Sequence, residues 1–216
     1  MVVESPTMSH SDIIQAIKSE CAKINLHFST DGDGRLTSAV REREYLNLLE
    51  HGMKLRGFTF EHQPVERWWW DFRVNGIPFN LKLTTGGTDN AFNKVAIIFT
   101  ISGQEPEKRN MNFNQFSQTI KGCQKKAERD YMTEYHYLVV NKETGDVLLK
   151  SILDIHTYKS NPCNDLQINW TNEFKNSEFV AQSFKAKIQE LLKTVQTSVR
   201  QAMASMKEFA EIEDFV

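Results

Sequence analysis

Three features of this 216-residue sequence predict a mixed fold, α/β or α+β. Short apolar runs such as Tyr135 to Val140 read as buried strands. Other segments space their apolar residues three and four apart, as amphipathic helices do. Between them, Asn75-Gly76 is a two-residue hairpin signal, because a type I′ turn needs positive φ at both central positions. No Pro/Gly/Ser-rich linker, repeat or low-complexity segment divides the chain, so one domain spanning 1–216 is expected.

In chain order, Ser11 is placed to cap a helix carrying Ile13, Ile14, Ile17, Cys21 and Ile24. FSTDGDGR, at 28–35, is an Asp/Gly loop whose calcium-type ligand series stops after Asp33. A second helix is expected from about Ser38 to His51, with Val40, Tyr45, Leu48 and Leu49 among its apolar positions and Gly52 to close it. Phe58 to Phe60 begins a strand, and the Asn75-Gly76 hairpin follows. After Gly86-Gly87, Thr88 is placed to cap a helix presenting Ala91, Val95, Ile98, Phe99 and Ser102, although the β-branched run Val95 to Ile101 fits a strand equally well. Asn112 to about Arg129 reads as helix. Tyr135 to Val140 reads as a strand that the turn Lys142-Glu143-Thr144-Gly145 leads into Val147 to Leu153. Leu166 to Trp170 is a further short strand. From about Ser177, the series Phe184, Ile188, Leu191, Val195, Val199, Met203, Met206 and Phe209 makes a long amphipathic C-terminal helix.

The hairpin phase follows from its turn. Val74 faces Ile77, Arg73 faces Pro78, Phe72 faces Phe79 and Asp71 faces Asn80. Because side chains alternate, Phe72, Val74, Phe79, Leu81 and Leu83 share one face, and Asp71, Arg73, Asn80 and Lys82 share the other. Asp71 and Asn80 then form a direct cross-strand pair with Lys82 diagonal to the aspartate.

Composition narrows the function. The formal net charge is −2, which argues against bulk binding to nucleic acid, but the distribution is uneven. From Arg67 to Lys126 there are nine basic residues against four acidic ones, an excess of five, so a locally positive surface suits a partner bearing phosphates. The three cysteines, Cys21, Cys123 and Cys163, are far apart and match no zinc spacing. They suggest reduced thiols in a cytoplasmic protein. The longest apolar run, Val95 to Ile101, is too short to span a bilayer, and the first residues show no secretory pattern.

An aspartate beside a second oxygen donor is a site for a hard cation such as Mg2+, which keeps places for phosphate and water. A lysine alongside offsets phosphate charge or orients water. Exposed hairpin faces also carry such residues without any function.

The order of motifs adds to this. Asp71, then Asn80-Leu81-Lys82 on a hairpin, resembles the PD-(D/E)xK nuclease superfamily, with Trp70 where proline often stands and Asn80 in place of the second acid, as in some type II restriction endonucleases. DFRVNGIPFNLKLTTGGTDNAFNK looks like their catalytic strand and following recognition segment, YHYLVVNK like their next core strand, and NPCNDLQINW with the terminal helix like their C-terminal part. The resemblance covers most of the chain from Arg35 onward. It implies an α/β fold with a restriction-endonuclease-like core, a central mixed β-sheet flanked by helices and a long C-terminal helix. It implies a site-specific, Mg2+-dependent endodeoxyribonuclease that cuts both strands of double-stranded DNA at a short palindrome as a homodimer. Asp71 would be the metal ligand, Asn80 ligand or water positioner, the Leu81 carbonyl a further ligand and Lys82 the catalytic lysine. Glu42, with Glu44 as the alternative, would complete the site from an early helix. The Thr84 to Lys94 segment, with Thr84, Thr88, Asp89, Asn90, Asn93 and Lys94, would contact DNA. Asn90 and Asn93 have amides suited to adenine and Lys94 suits phosphate. Trp68, Trp69 and Trp70 are expected in the core, and His62, His136 and His156 are assigned no role. Gln167 and Asn169 are read as packing or sheet-edge groups with a possible reach to DNA. A repair or recombination nuclease with the same core, and a DNA-binding protein with an inactive core, remain the alternatives.

Overall fold

Turn chemistry sets the register at the centre of the sheet, where Asn75 and Gly76 take φ of 47° and 83°. The computed structural model describes residues 8–24, 34–90, 93–176 and 182–210. Two helices come first, α1 (His10–Cys21) and α2 (Gly34–Leu55), followed by strands β1 (Phe60–His62), β2 (Phe72–Val74), β3 (Ile77–Thr84) and β4 (Thr88–Asn90). Helices α3 (Lys94–Ser102) and α4 (Phe113–Gly122) lead to β5 (His136–Asn141), β6 (Val147–Ser151), β7 (Tyr158–Lys159) and β8 (Gln167–Asn169). The short helix α5 (Trp170–Lys175) and the long helix α6 (Phe184–Ala210) follow.

The main sheet has five strands in the order β1-β2-β3-β5-β6. It is mixed: β1-β2-β3 is an antiparallel meander, β3 runs parallel to β5, and β5 is antiparallel to β6. A parallel neighbour requires a crossover, and the chain between β3 and β5 contains β4, α3 and α4. A second sheet has three strands, β4-β8-β7.

Alternation along β3 and β5 divides the core between the two faces of the main sheet. Phe72, Val74, Phe79, Leu81, Leu83, Leu138 and Val140 pack with Ile13, Ile17, Tyr45, Leu49 and Met53 of α1 and α2. Phe72 and Phe79 are fully buried and stacked at 5.0 Å. Tyr137 and Val139, beside Asn80 and Lys82 in the parallel register, pack with α3, with Trp69 and Trp70, with Trp170 of α5 and with Leu191 and Val195 of α6. The tryptophans are therefore core residues. The polar face of the hairpin is covered beyond the polar pair: Arg73 is held by Glu105 at 2.5 and 2.6 Å and lies 4.5 Å from the Trp70 ring.

Several expected boundaries move. Ser9 caps α1 in a capping box with Asp12, and Ser11 lies inside the helix. The second helix begins at Gly34 and runs through Gly52 to Leu55. A Cβ at Gly52 would lie 2.3 Å from Glu20 Oε2, so this glycine allows α1 and α2 to approach and does not close the helix. Thr88 opens a strand, and the next helix is capped by Asn93 and ends at Gly103 with φ 71°. That settles Val95 to Ile101 as helix. Helix α4 stops at Gly122, well before Arg129, because the Lys126 N–H donates to the Ile101 carbonyl and turns the chain back. The strand β6 ends at Ser151, whose hydroxyl caps a short 3-10 turn over Ile152–Asp154. Trp170 begins α5 after Asn169 caps it. The 28–33 part of the Asp/Gly loop and Ala91 lie outside the described residues.

Candidate active site

Backbone bonds on both sides fix Asp71 at the point where β2 leaves β3. Its N–H donates to the Phe79 carbonyl at 2.9 Å, and its carbonyl accepts the Gln63 N–H at 3.0 Å. The buried rings of Trp69 and Trp70 anchor the approach. Its carboxylate Oδ2 accepts two bonds, from Asn80 Nδ2 at 2.7 Å and from the Leu81 N–H at 2.8 Å. In a strand, the N–H and C=O of one residue face the same side, so the Leu81 carbonyl also faces the edge that β2 vacates.

Asp71 and Leu81 contribute to the wall of a cleft of ≈ 850 Å³ between α2 and the 62–67 loop, with Glu42, Arg43 and Arg67 also on its lining. Burial pushes the Asp71 carboxyl above the usual range, and the Leu81 N–H and the Lys82 charge oppose this only in part. Glu42 is also raised, by burial first and then by the negative charge of Asp71, with Lys82 and Lys142 pulling it down and Asp89 adding to the rise. Glu42, Asp71, Lys82, Lys142 and Asp89 therefore share one electrostatic neighbourhood. Glu44 is exposed and pairs with Arg41 at 2.8 Å, so Glu42 is the early-helix acid that meets the cleft. Among the described residues Lys82 forms no hydrogen bond and no ion pair within 4.0 Å.

Lys142 was not singled out from the sequence. Its N–H donates to the Thr84 carbonyl at 2.8 Å, at the shared C-terminal end of the parallel strands β3 and β5. The signal that would have found it is that parallel pairing: functional groups collect beyond the carboxyl ends of parallel strands.

Among the described residues no group of three His, Cys, Asp or Glu side chains could hold a metal ion. A cation here would need amide and peptide oxygens as well. The residues present fit that requirement. Among the described residues Asn80 Oδ1 is buried without a hydrogen-bond partner. The two ends of an amide are assigned by their surroundings. If the Asn80 amide turns over, its oxygen takes the place of Nδ2, 2.7 Å from Asp71 Oδ2. Neighbouring oxygens of an octahedral Mg2+ shell are about 3.0 Å apart, from bonds of about 2.1 Å. The fully buried Tyr135 phenol lies against the Asn80 and Asn93 amides.

The segment expected to contact DNA divides by role. Thr84 is buried, and its hydroxyl closes the turn to Gly86. Asn93 caps α3 through Val95 and Ala96 and donates to the Trp69 carbonyl at 3.0 Å, so its amide is engaged within the fold. Lys94 lies 3.9 Å from Asp165 and 4.4 Å from the centre of the Phe113 ring. Thr88 and Asn90 are exposed on β4, and Asp89 between them is half-buried. His136 is buried with Nε2 at 3.1 Å from that of His10, and His62 pairs with Glu50 at 2.8 Å.

No protein-family model matches this chain, and no curated protein matches it significantly. Among the described residues no helix is long and apolar enough to cross a membrane.

Proposed function

We propose that this protein is a type II site-specific endodeoxyribonuclease. It hydrolyses one phosphodiester in each strand of duplex DNA, with Mg2+, and acts as a homodimer in the cytoplasm on a short palindromic sequence. The observation that carries the proposal is Asp71 at the wall of a cleft, bonded to Asn80 and to the Leu81 N–H, with Glu42 and Lys82 in its electrostatic field. The parallel pairing of β3 with β5 supports it, because the 135–142 segment, which resembles the next core strand of such enzymes, continues the same sheet.

Asp71, Asn80 and the Leu81 carbonyl would hold the Mg2+. When bound, the ion supplies positive charge to the phosphoryl oxygens as the P–O ester bond breaks. Lys82, with no hydrogen bond or ion pair among the described residues, adds a cation placed to offset phosphate charge. Glu42, with its carboxyl held above the usual range, is placed to accept a proton from water. Lys142, at the end of β5, extends the positive surface toward a neighbouring phosphate.

One observation favours a second reading. The Asn80 amide donates to Asp71 and brings no negative charge, as suits a DNA-binding protein with an inactive core. Incubation of the protein with plasmid DNA and Mg2+ separates the readings. Discrete fragments support restriction, selective nicking of branched substrates supports a repair nuclease, and binding without cleavage supports the inactive core.

A further inference from the structure

The small sheet β4-β8-β7 has one face made entirely of hydrogen-bonding side chains. Thr88 lies opposite Asn169, Asn90 opposite Gln167, and Lys159 opposite Gln167 on the other side. Residues paired across strands share a face, so Thr88, Asn90, Lys159, Gln167 and Asn169 all lie on one side. The other side holds Asp89, Ile168 and Tyr158, and Ile168 is fully buried in the core. The polar side is therefore the outer one, and Thr88, Asn90 and Lys159 on it are exposed.

Two of these amides hold each other. Gln167 Nε2 donates to Asn90 Oδ1 at 3.0 Å. Among the described residues that bond leaves Asn90 Nδ2 as a donor and Gln167 Oε1 as an acceptor, on two directly paired cross-strand side chains. Reversing both amides leaves the same pattern, one donor and one acceptor, so the result does not depend on how the ends are assigned. Asn169 differs: its oxygen accepts the Asn172 N–H and its nitrogen lies 3.4 Å from Thr88 Oγ1, so it supports the platform from within.

Adenine presents an acceptor at N7 and a donor at N6 in the major groove, the complement of a donor beside an acceptor. We infer that the outer face of β4-β8-β7 reads base edges in the major groove, and that the Asn90–Gln167 pair recognises an adenine as one bidentate unit. Lys159 meets phosphate at the border of the platform. The inference rests on the nuclease reading for its ligand, duplex DNA. Its location agrees with that reading, because β4 follows the catalytic strand β3 after the Gly86-Gly87 turn.

The test measures binding of the whole protein to a pool of randomised DNA duplexes, with Ca2+ in place of Mg2+. The wild type is expected to select an A·T pair at a fixed position. Asn90→Ala and Gln167→Ala should each relax that one position by on the order of ten- to a hundredfold while other positions hold. The double variant should be no worse than either single one, because the pair acts as a unit. Gln167→Glu, which keeps the shape but only accepts, should move the preference toward cytosine. Lys159→Ala should weaken all sequences alike and reduce the salt dependence. An unchanged base preference in Asn90→Ala and Gln167→Glu overturns the inference, as does a uniform loss across all sequences. Sequence-specific cleavage by a wild type whose specificity ignores these residues overturns this inference alone. A wild type that neither binds nor cuts any duplex overturns the nuclease reading with it.

Discussion

Asn80→Asp places a second carboxylate against Asp71. The substituted atom lies 2.7 Å from Asp71 Oδ2 and now donates a hydrogen bond to it. Two unit charges at that separation repel by about 6 kcal/mol at an effective dielectric constant near 20. The pair escapes by keeping one proton, and holding a carboxyl of pKa about 4 protonated at pH 7 costs about 4 kcal/mol. The smaller figure sets the limit, so the metal-free variant should lose about 3–4 kcal/mol at pH 7. For a chain of this size that is a fall in melting temperature of about 6–16 °C. The sign follows from linkage. The folded pair holds a proton that the unfolded chain releases above about pH 4, so the penalty is absent in acid and grows as pH rises. Mg2+ offsets the added charge and should restore stability, and it should bind the free variant more tightly than the wild type. Thermal unfolding of both proteins from pH 5 to 8, with Mg2+ and with a chelator, measures all of this. Equal melting temperatures at every pH in chelator would show that residue 80 does not face Asp71 and would refute the reasoning.

Asp71→Asn should raise the stability of the free protein at pH 7 by on the order of 1 kcal/mol, because burial already disfavours the Asp71 charge. Chemical denaturation would show this gain shrinking as pH falls below the raised Asp71 pKa. Lys82→Ala should abolish turnover while the unfolding free energy falls by no more than about 1 kcal/mol at pH 7, since among the described residues Lys82 forms no hydrogen bond or ion pair and only its charge offsets that of Asp71. A large fall in stability would instead mark a structural lysine. Glu173→Gln tests a different carboxylate, buried beneath Lys150 at 2.6 Å and accepting the His156 and Thr157 N–H groups at 2.8 Å. Burial raises its pKa, but the Lys150 bond and the others outweigh it, so the folded value lies below the ordinary one. Its stabilisation is present above about pH 4.5 and disappears as pH falls through the folded pKa. The glutamine variant should lose about 3–5 kcal/mol at pH 7, with the difference from wild type closing in acid.

The hairpin was legible because its determinants are local. Asn75-Gly76 fixes the turn, the turn fixes the register, and the register places Asp71 beside Asn80. The core face of Phe72, Val74, Phe79, Leu81 and Leu83 followed from the same alternation, whereas the second core, on the side of Asn80 and Lys82, is built by α3, the tryptophans and α6 and was not legible in the hairpin. What the sequence hid depends on distant partners. Thr88 to Asn90 is a strand because β8 pairs with it from nearly eighty residues further along. Without that partner, a threonine before an apolar segment reads as a helix cap. Gly52 looked like a terminator because its purpose is the approach of Glu20 from α1. The Val95 to Ile101 run was ambiguous by periodicity, being buried along its whole length. Asn93 and Gly103 at its ends decide it as a helix. In the site, Asp71, Asn80 and Lys82 were visible as a pattern. Lys142 was not, because parallel pairing brings it in, and Gln167 was read for a sheet edge or DNA without its partner Asn90, which only the small sheet sets opposite it.

The most direct measurement of the central claim is cleavage of plasmid DNA by wild type and by Asp71→Ala, each with Mg2+, alongside duplex binding in Ca2+. The account predicts discrete fragments from the wild type, none from the variant, and retained binding by both. Equal cleavage by the variant would remove Asp71 from the chemistry, and binding without cleavage by the wild type would contradict nuclease activity itself.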